Sequence, residues 1–212
     1  MGRINKGILG GFSGKVGNVV GGNWKGIDYM RSKSNGRKGG FSQAQKEQQA
    51  KFGLAIRFAQ SMSGLLEMGF HSFAQGQTGI NSAVSYILKN AIGGAYPNYT
   101  IVYGDVLVTR GDLPNVLAPS VVADANSLVT YNWSDNSGAG IAKPGDRVIL
   151  AAYCPALNQC IYTTGSARRD TKTDVLNLAS FSGKEVHTYI GCLSEDDRNI
   201  ATSIYTGIVT VS

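Results

Sequence analysis

Arg147-Val148-Ile149-Leu150-Ala151-Ala152-Tyr153, closed by Pro155-Ala156-Leu157-Asn158 and answered by Cys160-Ile161-Tyr162-Thr163-Thr164, is the stretch that decides the fold. Two runs rich in β-forming residues around a cluster of turn formers read as neighbouring antiparallel strands. The same texture extends in both directions. Strands are predicted near 100–109, 128–133, 147–153, 160–164, 174–178, 186–192 and 203–211, separated by segments such as Asp135-Asn136-Ser137-Gly138, Lys143-Pro144-Gly145-Asp146 and Ser194-Glu195-Asp196-Asp197. Strands this short, this evenly spaced and this punctuated predict an immunoglobulin-like or fibronectin-type sandwich, with Trp133 as its core aromatic.

Upstream the hydrophobic period changes to that of a helix. Ile80, Ala83, Val84, Ile87, Leu88 and Ala91 recur at helical spacing behind Thr78, a capping residue, and ahead of Gly93-Gly94 and Pro97, which end the helix. Ser42 followed by Gln45 has the form of a capping box. It opens a second helical stretch to about Phe73, with Phe52, Ile56, Ala59, Met62, Leu66 and Phe70 on one face and Gly53, Gly64 and Gly69 as weak points. Residues 1–41 hold 12 of the 28 glycines. There, 16–20 and 24–31 read as short strands around a Gly21-Gly22-Asn23 turn, because glycine and asparagine tolerate positive φ. The predicted class is α+β: a basic glycine-rich hairpin arm (1–41), a helical segment (42–98) and an Ig-like β-sandwich (99–212).

Charge is unevenly distributed. Residues 1–57 carry eleven basic groups against Asp28 and Glu47, whereas 99–212 carry eight basic against eleven acidic groups. A concentrated cationic field attracts nucleic acid, an acidic membrane surface or the acidic face of a neighbouring copy. No run approaches the roughly 20 apolar residues that span a bilayer, and the first residues lack the apolar core of a signal peptide. Cytoplasmic synthesis is therefore expected, with release in a particle or filament left open. Three cysteines, Cys154, Cys160 and Cys192, are too few for a disulfide framework. Cys154 and Cys160 would face each other across a hairpin, but reduced, packed thiols suit that compartment better.

The opening GILGGFSGKVGNVVGGNWKGIDYMRS, residues 7–32, resembles the start of a family of Bacteroidota proteins of about this length known only as a domain of unknown function. The likeness continues through 43–52, 81–91, 106–113 and 201–207, and so covers essentially the whole chain. It implies no activity. The sequence departs from the family's usual pattern at 34–40, where glycine stands in place of a proline-containing stretch. A fainter similarity, of analogy alone, links the hairpin and glutamine-rich helix to small proteins of phage and prophage regions.

Motifs of chemistry fail on inspection. Gly10-Gly11-Phe12-Ser13-Gly14-Lys15-Val16 has Leu9 where a phosphate loop needs its first glycine, and Val16 where magnesium needs a hydroxyl. His71 lies in a helical stretch beside Phe70 and Phe73, and His187 alternates with Val186 and Thr188 in a predicted strand, so each reads as an ordinary surface or half-buried residue rather than a catalyst; no zinc or nucleophile-elbow spacing occurs. The aspartates at 135, 146, 170, 174, 196 and 197 read as turn acceptors, and Glu195-Asp196-Asp197 lacks the spaced ligands of a calcium loop. No catalytic residue, cofactor or metal is expected.

The arm remains. Arg3, Lys6, Lys15, Lys25, Arg31, Lys33, Arg37 and Lys38 are interleaved with Trp24 and Tyr29, a pattern that suits polyanions, while Val16 and Val19 sit among glycines that suit strand addition. The leading expectation is a non-enzymatic assembly protein forming a homo-oligomer, filament or phage-like particle through this arm. The alternatives are nucleic-acid binding by the same residues, or ligand recognition by the sandwich loops 135–140 and 194–199.

Overall fold

A computed structural model describes residues 3–4 (backbone alone), 10–24, 26–36, 39–73 and 76–212. The chain divides into two compact units, Met1–Ser42 and Gln43–Ser212.

The first unit is an antiparallel sheet in the order β1-β2-β3-β4, built from β1 (Arg3–Ile4), β2 (Phe12–Val16), β3 (Val19–Trp24) and β4 (Ile27–Ser32). Its turns lie at Gly17-Asn18 and at Gly26, and the φ of 57° at Gly17 and 84° at Gly26 is one that L side chains rarely adopt. The predicted hairpin is thus corrected. Gly21-Gly22-Asn23 is the middle of β3, and the reversals fall at the glycines that carry positive φ.

In the second unit, α1 (Gln43–Gln60), α2 (Ser63–Gly69) and α3 (Gly79–Asn90) precede a hairpin of β5 (Ile92–Ala95) and β6 (Asn98–Ile101). Thr78 caps α3, its Oγ1 accepting from the Asn81 amide at 3.3 Å. The long first helix predicted from Ser42 breaks after Gln60, and Gly93-Gly94 belongs to β5 rather than to a helix end.

The remaining strands are β7 (Leu117–Ala123), β8 (Leu128–Ser134), β9 (Arg147–Cys154), β10 (Gln159–Arg168), β11 (Thr173–Asn177), β12 (Glu185–Leu193) and β13 (Ile204–Thr210). They form two antiparallel sheets, β10-β9-β12-β13 and β11-β8-β7. One core lies between the sheets, with Val129, Tyr131 and Trp133 of β8 against Val148, Leu150 and Ala152 of β9 and Val186, Ile190 and Cys192 of β12. A second core covers the other face of the four-stranded sheet, where Ile149, Ala151, Tyr153 and Tyr189 meet Phe58, Leu66, Val84 and Ile87 of the helices and Met62 and Phe70 at the two ends of α2. Layers of helix, four strands and three strands result. β9 and β12 are buried on both faces, which is why 148–154 is uninterruptedly apolar. The sequence boundary at 98/99 does not separate two cores, because residues from both sides of it share the helical one.

Two strand predictions shift. Residues 102–109 form no ladder; Val106 and Val108 instead enter the helical core, and the Val108 amide donates to Ser203 Oγ at 2.9 Å. β7 lies outside the seven predicted strands because Pro119 interrupts it, which an edge strand tolerates where its register shifts between Leu117 and Ser120.

Candidate functional site

The arm residues singled out by sequence are sorted by strand register. Side chains alternate between sheet faces, and directly paired residues share one. Lys15 pairs with Val20 and Val20 with Arg31; Gly22 pairs with Tyr29 and Trp24 with Ile27. These residues occupy one face. Val16 pairs with Val19, Gly21 with Met30 and Asn23 with Asp28, and they occupy the other. The Arg3 backbone pairs with Ser13. Lys33 follows β4, its amide donating to Asn18 O at 2.7 Å. Lys6, Lys25, Arg37 and Lys38 lie outside the described residues.

Gly21 and Gly22 let an aromatic side chain approach the sheet closely on each side. A Cβ on Gly21 would stand 2.7 Å from the Phe12 ring, and one on Gly22 would stand 2.9 Å from Tyr29 Oη. Phe12 therefore covers one face at mid-sheet and Tyr29 the other. The acid of this unit, Asp28, accepts from Asn23 Nδ2 at 2.7 Å on the face opposite Lys15 and Arg31. Lys15 and Arg31 make no ion pair among the described residues.

The sheet has almost no interior. Of its described residues Gly21 alone is buried, whereas Met30 is 71% exposed, Ile27 69%, Trp24 54% and Val16 53%. A small sheet that buries so little apolar surface gains little from the hydrophobic effect to offset the entropy of ordering its glycines.

Titratable groups of the second unit serve its own packing. The His187 ring stacks on Tyr103 with centroids 3.7 Å apart, and its Nδ1 lies 2.8 Å from Tyr205 Oη. Burial lowers its pKa against the upward pull of Glu185. His71 falls in a single helical turn, His71–Phe73, beside a cleft of about 250 Å³ formed with the 197–200 segment. Cys154, Cys160 and Cys192 are free thiols; Cys154 faces the inter-sheet core and Cys160 the helical core, so the two do not face each other. Burial pushes the Cys160 thiol up to about 12 and that of Cys192 to about 11. Asp135 accepts from the Ser137 hydroxyl and amide, and Asp196 from the Ser194 hydroxyl and the Arg198 amide, as turn residues do; these bonds, the hydroxyls above all, hold both carboxyls below their usual range. No group of three or more potential metal ligands occurs among the described residues. No helix among them is long and apolar enough to cross a membrane.

One constellation escaped the sequence reading. Arg169 is 0% exposed, pairs with the equally buried Asp146 at 3.1 Å, and donates to Asn136 Oδ1 at 2.6 Å, Pro114 O at 2.7 Å and Asn115 O at 3.2 Å. It ties together loops that are far apart in the chain. The neighbouring basic residue, Arg168, is exposed, and nothing local in Ala167-Arg168-Arg169-Asp170 marks which arginine turns inward.

A family model for a family of unknown function, DUF6266, matches residues 11–207. The chain belongs to DUF6266. The match takes in most of the N-terminal sheet, all three helices and the strands of both sandwich sheets up to β13, so the two units together are what the family describes. A comparison with curated protein sequences finds no match. Among solved structures, the fibronectin type III domain of the human collagen α-1(XX) chain is similar at 7% identity, covering 47% of this chain and 85% of that domain with a TM-score of 0.35.

Proposed function

We propose that this DUF6266 chain is a non-enzymatic structural protein that assembles with copies of itself through its N-terminal sheet. The observation that carries the reading is a folded sheet whose apolar side chains lie outside rather than inside. Val16, Val19 and Met30 offer one contiguous apolar face, and β4 is an edge strand that can accept a further strand. Residues 1–42 hold eight basic groups against Asp28 alone, a net of +7, while 99–212 are net −3, so the two attract between copies. Filaments and phage-like particles are the forms such an arm suits.

The order β11-β8-β7 against β10-β9-β12-β13 supports reading the sandwich as an immunoglobulin or fibronectin-type Greek key. The non-enzymatic part rests on how the reactive groups are used: His187 is stacked, two thiols are held protonated, and carboxylates hold turn amides. Multi-angle light scattering of the full chain, of Val16→Asp/Met30→Asp and of residues 43–212 tests the proposal. A mass well above one chain that collapses in both variants is expected. A mass unchanged by either refutes it.

A further inference from the structure

We infer that the face of the N-terminal sheet carrying Lys15, Trp24, Tyr29 and Arg31 binds single-stranded nucleic acid. This goes beyond assembly and does not rest on it, since Val16, Val19, Met30 and the β4 edge serve that role while these four side chains face the other way.

The argument is one of composition and layout. Lys15 and Arg31 flank Val20 in a single cross-strand row, two strand spacings or about 10 Å apart. Tyr29 and Trp24 follow in successive rows, about 7 Å from each other along the strand direction. Gly22 lets the Tyr29 side chain reach across the sheet at close range, where it stays 46% exposed. A sheet surface with two cations at one end and two exposed aromatic rings at the other matches a backbone phosphate tract with unstacked bases. Asp28 sits on the opposite face, so no acid interrupts the cationic row.

Duplex nucleic acid suits the face less well. Its bases are stacked on one another and offer no free ring surface, and groove reading uses a helix or ribbon that projects rather than a flat aromatic platform. An acidic protein surface would engage Lys15 and Arg31 but leave Trp24, 54% exposed, without a planar partner.

The test is fluorescence anisotropy of labelled oligo-dT, about 20 nucleotides long, with the full chain at low salt, alongside light scattering of the same samples. Trp24→Ala is expected to weaken binding roughly 5-fold or more, the loss of one stacked base, and Trp24→Phe to retain it. Lys15→Ala/Arg31→Ala is expected to flatten the slope of log affinity against log salt by about 1.4, near 0.7 per lost phosphate contact. Lys89→Ala, an exposed lysine of α3, is a charge control expected to change neither. Binding of oligo-dT also quenches Trp24 emission while Trp133, buried in the sandwich, keeps its own. No binding at low salt overturns the inference, as does affinity indifferent to Trp24→Ala. Full competition by polyglutamate, or preferential capture by phosphatidylserine vesicles, also overturns it and reassigns the face to an acidic protein or to a membrane. A change of mass without a change of oligo-dT affinity, or the reverse, separates this surface from the assembly surface.

Discussion

Replacing Arg169 by methionine keeps the length of the side chain and removes its charge from the most enclosed ionic contact of the second unit. Five hydrogen bonds are lost: two to Asp146 Oδ2, at 3.1 and 3.3 Å, and one each to Asn136 Oδ1, Pro114 O and Asn115 O. Asp146 is 0% exposed; its Oδ1 has no protein partner, and its Oδ2 would keep only the Lys143 amide at 2.8 Å. Stranding a buried carboxylate in this way costs on the order of 3–5 kcal/mol. For a domain of this size that lowers the thermal midpoint by about 10 °C. Urea titration followed by circular dichroism measures the loss, and Asp146→Leu/Arg169→Met distinguishes its cause. If the stranded charge is responsible, the double variant is more stable than Arg169→Met alone, because no unpaired ion remains. A single variant within about 1 kcal/mol of the parent, or a double variant less stable than the single, refutes the reasoning.

Two further predictions concern the sheet and the aromatic cluster. A Cβ on Gly21 would meet the Phe12 backbone carbonyl, whereas one on Gly22 meets only the far end of the Tyr29 side chain; Gly21→Ala should therefore abolish amide-exchange protection across β2 and β3, and Gly22→Ala should preserve it, with equal protection in the two counting against the assigned register. His187 is neutral in the fold because burial holds its imidazole below the usual range, so the unfolded chain takes up the proton more readily; stability is complete above the ordinary imidazole value, about 6.5, and falls as pH drops from there through the folded-state value. Urea midpoints between about pH 8 and pH 5 should be flatter in His187→Asn than in the parent, and parallel profiles would exclude this residue as the source.

Much of the strand pattern was legible because turn chemistry is local. Lys143-Pro144-Gly145-Asp146 and Pro155-Ala156-Leu157-Asn158 bracket β9 where the sequence places them, and Thr78 opens α3 through a contact three residues away. Where the reading missed, the deciding partner was distant. Residues 102–109 have the composition of a strand, yet the Val102 amide is met by Ala91 O and the Val108 amide by Ser203 Oγ rather than by a ladder. The Gly21-Gly22 pair looks like a turn in one dimension; cross-strand pairing makes it the floor on which Phe12 and Tyr29 lie. Of the candidate arm residues, sequence supplied the types but not the faces, since one residue of register exchanges the two sides completely.

The sequence by itself determined the α+β composition, the position of most strands, the helix at 79–90 and the concentration of positive charge in the first 42 residues, because propensity, capping and charge are properties of neighbouring residues. Tertiary structure alone decided that the helices close over the four-stranded sheet, that Arg169 is buried against Asp146, and that Lys15 and Arg31 share a face with Trp24 and Tyr29. Each of these depends on which segments meet across the fold, and a free energy gained between residues far apart in the chain leaves no mark on either one alone.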